Sequence, residues 1–402
     1  MAFFLMGKRK EKKKLGIYVH IPFCKSKCEY CDFYSIGGGR DKRLTDDYLQ
    51  TLADHIKETG ALAPDYRVDT VYFGGGTPSF FGAENLEKIL DEIHRHFRLT
   101  SNAEITAEAN PDSVTLSGLR RMLRAGFNRL SIGVQSDDDE MLKKLGRPHN
   151  FQQAKQAMEL ARKAGFANIS LDLMYGLPNQ TVSQWKETVL NIISLRPEHI
   201  SCYGLKVEEN TPLWSYKDCA NLPSDDAQAQ MYLEVVKLLE EYGYEQYEIS
   251  NFAKKGFHSR HNMKYWTGEE YLGFRSRMMV KRRPPKSEAA LGPKRYISGI
   301  ANEQAVLDEN EEIPMRERAG EYIMLRLRTA QGICREEYEK QYLLPFRPLE
   351  EELRHYADNG LAKQVGKRWR LTPSGWLLSN QIILQLLEIQ SKAGTLSKKT
   401  KE

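Results

Sequence analysis

The stretch Gly16-Ile-Tyr-Val-His-Ile-Pro-Phe-Cys24-Lys-Ser-Lys-Cys28-Glu-Tyr-Cys31 runs a short β-rich segment straight into a loop that carries three cysteines within eight residues. Outward from it, similar runs recur at Val68–Phe73, Ala103–Glu108, Asn128–Val134, Asn168–Leu173 and His199–Tyr203, which makes six candidate parallel strands. The segments between them, among them Leu44–Thr59, Ala83–Phe97, Phe151–Ala164 and Val182–Leu195, carry apolar residues at three-and-four spacing, as helices packed on one side of a sheet do. Strand and helix in alternation imply right-handed βαβ units and a parallel sheet, an α/β fold. Chemistry in such a sheet belongs at the carboxyl ends of the strands. The cysteines follow the first strand, Gly74-Gly-Gly-Thr-Pro78 follows the second, Glu108 ends the third, Gln135 ends the fourth and Asp172 lies near the end of the fifth. One polar strand end is ordinary loop chemistry; five in succession describe a site.

The bulk properties set the class. The chain has 402 residues, 41% hydrophobic and 28% charged, which suits a soluble globular protein with one large and one small domain. Much of the net charge of +5 is local, in the run Lys8 to Lys14 and in Lys398, Lys399 and Lys401, and reads first as solvated termini. The apolar tip Met1-Ala-Phe-Phe-Leu-Met6 is far shorter than the roughly 20 residues of a membrane helix, and its basic run follows rather than precedes it, the reverse of a secretory signal. Such a tip beside a polybasic stretch leaves room for peripheral contact with the inner face of a membrane. Clustered cysteines without a signal peptide favour metal or redox chemistry over a disulfide framework, so a cytoplasmic, reducing compartment is expected. Cys202, Cys219 and Cys334 have no neighbours at ligand spacing and read as small buried hydrophobes.

Three thiolates can hold three irons of a cubane cluster and leave the fourth iron open, whereas a structural zinc needs a fourth protein ligand. Asp32 is adjacent and His20 near, so counting alone leaves zinc open. Cys-x3-Cys-x2-Cys directly after a first strand, with an aromatic before the last Cys, resembles the signature of radical S-adenosylmethionine (SAM) enzymes. Tyr18-Val-His-Ile-Pro-Phe-Cys24, Phe73-Gly-Gly-Gly-Thr-Pro-Ser79, Glu108-Ala-Asn-Pro111, Arg129-Leu-Ser-Ile-Gly-Val-Gln-Ser136, Gly146-Arg-Pro-His149 and Asp172-Leu-Met-Tyr-Gly-Leu-Pro178 narrow the likeness. They resemble the branch that contains the oxygen-independent coproporphyrinogen III dehydrogenases and the HemW-like haem chaperones, and the likeness runs from Leu15 to about Leu387.

The resemblance implies a partial (β/α)6 barrel with a 4Fe-4S cluster on Cys24, Cys28 and Cys31, its open iron chelated by SAM. Gly75, Gly76 and Thr77 form a loop whose backbone can approach the methionine end of the cofactor, where side chains at the glycines would block it. Carried over from the family, Tyr18 and Tyr30 flank the cluster and cofactor, and Glu108, Gln135, Arg147 and Asp172 contact its polar groups. Arg147 suits the cofactor carboxylate through its planar fork, and Asp172 or Glu108 suits ribose hydroxyls.

Within that branch two functions compete, oxidative decarboxylation of coproporphyrinogen III propionates and haem delivery to acceptor haemoproteins. The dehydrogenase pattern has a further Cys two positions after the third ligand; here Phe33 stands there, which points to the haem chaperones. His261-Asn-Met-Lys-Tyr265-Trp266 resembles the HNxxYW element associated with haem in that group. It makes His261 and Tyr265 haem-binding candidates, the other reading of His261 being a hydrogen-bonded core histidine. Haem, acceptor haemoproteins and a second copy of the chain are the partners this leaves room for.

Five regions are expected: a basic tail 1–14, the barrel 15–245, a connecting segment 246–312, a small α+β winged-helix-like domain 313–388 and a polar tail 389–402. In the small domain short helices precede Leu361–Thr372, a β-hairpin with Gly366 at its turn. Its basic residues are scattered, and no nucleic-acid partner is expected. One stretch breaks the family pattern. Between Arg275 and Tyr296 a basic, aperiodic sequence replaces an expected glycine-rich one of similar length; a basic insertion for a membrane or an acidic partner is one reading, and compensating frameshifts across about 22 residues are the one the replaced length favours. Translation of the same DNA in its other frames is then expected to restore a glycine-rich segment; if neither frame does, that explanation fails.

Overall fold

The strands Lys13–Ile21 (β1), Tyr66–Gly75 (β2), Leu99–Ala109 (β3), Arg129–Gln135 (β4), Ile169–Tyr175 (β5) and His199–Gly204 (β6) pair in parallel with their neighbours in chain order. The computed structural model describes residues 13–38, 41–219, 221–274, 279–280, 313–392 and 394. The apolar tip, nearly all of the basic tail, most of the pattern-breaking stretch, the Cys219 side chain and the last residues lie outside them. The helices Lys42–Ala61, Ala83–His96, Leu116–Ala125, Phe151–Ala164 and Val182–Ser194 connect the strands. Among the described residues no helix is long and apolar enough to cross a membrane.

Alternation along each strand divides the sheet into two chemically different faces. Ile17, Val19, Ile21, Val71, Phe73, Ile105, Leu130, Ile132, Val134, Leu171 and Leu173 join one buried core with Leu52, Ile56, Leu90, Ile93, Met122, Met158, Trp185 and Val189 of the helices. Each such side chain contributes about 1.5–3 kcal/mol by leaving water. The intervening positions, including Tyr18, Thr70, Tyr72, Glu104, Thr106, Glu108, Arg129, Ser131, Ser170, Asp172 and Ser201, are polar or aromatic-polar. Parallel strands are ordinarily apolar on both faces; a polar inner face is what a strand shows when that face lines a cavity.

Residues 246–274, expected as part of a connector, instead extend the sheet at both edges. Glu245–Gln246 (β7) and Asn251–Ala253 (β8) continue it beyond β6, and Tyr271–Phe274 (β9) and Met279–Val280 (β10) continue it beyond β1, giving the order β10-β9-β1-β2-β3-β4-β5-β6-β8-β7. Among the described residues β10 and β7 stand at the two edges of the sheet and do not pair with each other. Strands of two to four residues carry too little alternation to stand out in sequence.

The helix Arg260–Thr267 closes the floor at the amino-terminal ends of β2 and β3. Glu104 accepts the first two helical N–H groups, from Arg260 and His261, each at 3.0 Å, and Ser259 caps Asn262 N–H at 3.3 Å. An anion at this end suits the unpaired donors and the helix dipole. Lys264 Nζ lies 2.8 Å from Asp69 Oδ1 and 2.9 Å from Glu269 Oε2, and its side chain is 3% exposed.

The small domain follows the order Ile333–Cys334 (β11), two helices, Ala362–Val365 (β12) and Arg368–Leu371 (β13), with β13 central in a three-stranded antiparallel sheet. Gly366 turns the hairpin at φ +58°, as expected. Ile249 N–H donates to Arg328 C=O at 3.0 Å and Ala330 N–H to Tyr247 C=O at 2.9 Å, which ties the domain to the barrel edge. Cys202 and Cys334 are buried as expected.

Because Lys264 neutralises a carboxylate that is itself 9% exposed, Lys264→Met leaves Asp69 buried beside only the more distant Arg260, Nη2 at 3.8 Å. A loss of about 3 kcal/mol is expected in urea unfolding at neutral pH; a variant as stable as the parent would show that the pair does not hold the floor in place.

Candidate functional site

A cavity of about 540 Å³ opens at the carboxyl ends of β1–β6. Cys24, Cys28, Tyr30, Cys31, Gly75, Gly76, Thr77, Glu108, Gln135, Arg147 and Asp172, all expected from sequence, line it together. Tyr18 does not line it. Its hydroxyl lies 3.1 Å from His20 Nδ1, and His20 Nε2 lies 2.9 Å from Tyr34 C=O, so Tyr18 supports the cysteine loop from behind. His20 is thereby engaged and not poised as a fourth zinc ligand. Among the described residues no group of three Cys, His, Asp or Glu side chains is arranged to hold a single metal ion.

Two sulfurs of the loop are joined by one hydrogen-bonded chain. Thr77 Oγ1 donates to Cys24 Sγ at 3.4 Å and accepts from Asn110 Nδ2 at 3.3 Å. Asn110 Oδ1 accepts from Arg147 Nη2 at 2.7 Å, and Arg147 Nη1 donates to Cys28 Sγ at 3.6 Å. Arg147 also donates to Gly133 C=O at 2.7 Å. Donors aimed at sulfur stabilise thiolate ligands. Burial, with the neighbouring cysteines adding to it, pushes the Cys24 and Cys31 thiols up, so the uncharged form is favoured until a metal replaces the proton. The cysteine loop is pinned from outside too, by Cys24 N–H to Ile36 C=O at 2.9 Å and Glu29 N–H to Leu145 C=O at 3.1 Å.

The glycines have a sharper reason than access for a cofactor. A Cβ on Gly75 would sit 2.4 Å from the His20 ring, and one on Gly76 2.8 Å from Ile21 C=O and 2.9 Å from Phe23 C=O. Gly75 also has φ +110°. Side chains there would push the loop off β1 and move the cysteines that follow it. Gln135, at φ +70°, holds a left-handed conformation unusual for its type at the end of β4. Strain of that kind concentrates at functional sites.

The two carboxylates differ. Asp172 accepts hydroxyls from Ser131, Ser170 and Ser201 at 2.9, 2.9 and 2.7 Å. Glu108 accepts from Tyr72 Oη at 2.8 Å and Gly75 N–H at 3.1 Å. Burial, reinforced by the Asp172 charge, outweighs those bonds and pushes the Glu108 carboxyl up to about 7.

His261 is fully buried in the floor helix. Its Nδ1 lies 2.9 Å from Thr70 Oγ1 and its Nε2 2.9 Å from Tyr265 Oη, with Tyr72 stacked at 5.2 Å. Both ring nitrogens are engaged, burial pushes the ring down to about 3, and the hydrogen-bonded core reading is the one this arrangement supports. The ligand reading requires the bond to Tyr265 or the one to Thr70 to break.

Sequence reading missed Asn110, Arg129, Ser131, Ser201, Tyr203 and Asn262, which line the same cavity. Alternation within the fourth and sixth strands was the available signal for Arg129, Ser131, Ser201 and Tyr203. Asn262, which reaches the cavity from the floor helix, was marked only as the second residue of the HNxxYW element and given no role.

The partial barrel of six ordered parallel strands, with a three-cysteine loop at the mouth of its cavity, defines the radical SAM class. The Radical SAM superfamily model matches residues 18–192 and the HemN C-terminal domain model matches residues 313–378. The chain is 36% identical over 377 residues to "Heme chaperone HemW" of Bacillus subtilis, covering 91% of this chain and 97% of that one. It is 33% identical to the Escherichia coli protein of the same name, covering 92% and 97%. The solved coproporphyrinogen III oxidase (HemN) of Escherichia coli superposes with TM-score 0.79 at 23% identity, covering 94% of this chain and 90% of that one, a likeness of fold. The chain belongs to the HemW family of the radical SAM superfamily.

Because Glu108 holds its proton more tightly folded than unfolded, it contributes stability that is full below the ordinary carboxylate value of 4.5 and lost as pH rises through about 7. In the apo protein, Glu108→Gln is therefore expected to gain on the parent by roughly 2–3 kcal/mol between about pH 5 and 8. A difference that does not change with pH in paired urea titrations would refute the raised value.

Proposed function

We propose that this protein binds haem and passes it to acceptor haemoproteins, with a 4Fe-4S cluster on Cys24, Cys28 and Cys31 and SAM in the cavity beneath. The mouth of the cavity carries this reading. Three thiols ring it, and Phe33, 70% exposed and lining the same cavity, stands where the dehydrogenase pattern has a further cysteine. Membership of a family whose Bacillus subtilis and Escherichia coli proteins are named haem chaperones supports it.

The residues present fit the two groups. Radical SAM proteins use the cluster and cofactor for one-electron reductive chemistry when both are bound. Arg147, already 3.6 Å from Cys28 Sγ, is placed to meet a carboxylate beside the cluster. Glu108, Gln135 and Asp172 offer acceptors and donors along one wall, with Tyr30 packed against Arg147. Gly75 and Gly76 let their loop pack closely on β1 and on the start of the cysteine loop, and Thr77 donates to Cys24 Sγ. His261 and Tyr265 are bonded to each other and would have to part before either held haem iron through that bond's atoms. Thiolate ligands suit a reducing cytoplasm.

Anaerobic cluster reconstitution followed by parallel assays tests the reading. Stoichiometric haem binding without consumption of coproporphyrinogen III is expected, and Cys28→Ser is expected to lose the iron-sulfur absorbance. Turnover of coproporphyrinogen III would replace the carrier reading with the dehydrogenase one.

A further inference from the structure

Arg129 is a residue of the barrel interior that the cluster and its surroundings do not explain. It begins β4, faces inward, lines the cavity and is 1% exposed. Neither its Nε nor its Nη1 has a hydrogen-bond partner among the described residues. A buried guanidinium carries five N–H donors and has no uncharged state to retreat to. Leaving those on Nε and Nη1 unmet costs more than leaving an ordinary buried polar group unpaired.

The charges of Glu104 and Asp172 lie near enough to favour the guanidinium, but the hydrogen bonds these carboxylates and Glu108 accept come from other groups. Both oxygens of Glu104 take N–H groups of the floor helix, and Asp172 takes three serine hydroxyls. Glu108 is occupied by Tyr72 and Gly75. Asn262, on the floor helix, lines the same cavity. Planar, parallel donors of this kind match a carboxylate's two oxygens.

We propose that Arg129, with Asn262 beside the same cavity, binds a carboxylate of the molecule that fills the barrel, one separate from any carboxylate held at the cluster. Depth on the strand separates the two. Arg147 meets β4 at Gly133 C=O, four residues nearer the mouth than Arg129, or about 13 Å along a strand. Resting on the haem-carrier reading, the deep carboxylate is a propionate of the tetrapyrrole.

The test compares haem with haem dimethyl ester, whose propionates are masked, by anaerobic titration of the reconstituted full chain followed in the Soret band. The parent is expected to bind haem roughly 10- to 100-fold tighter than the ester, the worth of a charge-assisted hydrogen bond. Arg129→Gln is expected to weaken haem by that factor and leave the ester unchanged, with iron and sulfide content intact; Arg129→Lys, which keeps charge without the fork, falls between. Equal binding of haem and ester by the parent overturns the proposal without any variant. An ester penalty that persists in Arg129→Gln also overturns it, while the haem reading stands. In a third arm, equilibrium dialysis of SAM, a loss confined to SAM in Arg129→Gln would assign the carboxylate to the cofactor and overturn the propionate assignment. Failure of the parent to bind haem or ester defeats the carrier reading itself, and the propionate assignment with it.

Discussion

The chain Cys24, Thr77, Asn110, Arg147, Cys28 is the constraint on which the site depends. It fixes two sulfurs relative to each other through residues of the loops after β2, β3 and β4, so the cysteine loop is positioned by the barrel rather than by its own turn chemistry. The amide of Asn110 is central because it donates to Thr77 and accepts from Arg147, and its orientation is set by that polarity. Close packing of Gly75 and Gly76 on β1 makes the same placement steric. Metal-binding loops held in this way lose little further freedom on loading, which favours one cluster geometry over many.

The second constraint is the polar lining. Six parallel strands whose inner positions are hydroxyls, carboxylates and an arginine cannot pack on themselves, so the barrel retains a cavity and needs a floor. The helix Arg260–Thr267 supplies it with Glu104, Asp69 and Lys264 as the contacts. The HNxxYW element in that helix thereby acquires a physical role: His261 and Tyr265 link the floor to Thr70 of β2, and Tyr18 and Tyr72 stack against the same imidazole. Such a role is independent of haem ligation. It ties the cavity floor to the strand whose far end carries Gly75 and Gly76.

Much of this was legible in the sequence, and for definable reasons. The six strands and their helices show because burial on the outer face imposes period two and period 3.6 over segments long enough to read; Phe151–Ala164 matches residue for residue. The strand-end residues Glu108, Gln135 and Asp172 and the three cysteines show because parallel sheets place chemistry there. Arg129 and Ser131 did not, although the alternation held them, because an inward polar residue deep in a strand looks the same as one facing water until the cavity is seen. β7 to β10 escaped for lack of length. Tyr18 was expected beside the cofactor; in the structure it is bonded to His20 and is not among the residues lining the cavity, a placement that depends on a rotamer rather than on spacing.

The central claim is that three protein thiols hold the cluster and leave one iron open to an exogenous ligand. Electron paramagnetic resonance of the reduced, reconstituted protein with SAM labelled by ¹⁷O in its carboxylate measures this directly. The expected result is a change in the cluster signal on adding SAM, with hyperfine broadening from the label. A signal indifferent to SAM and to the label would mean that the fourth iron is closed by the protein, and would contradict the claim.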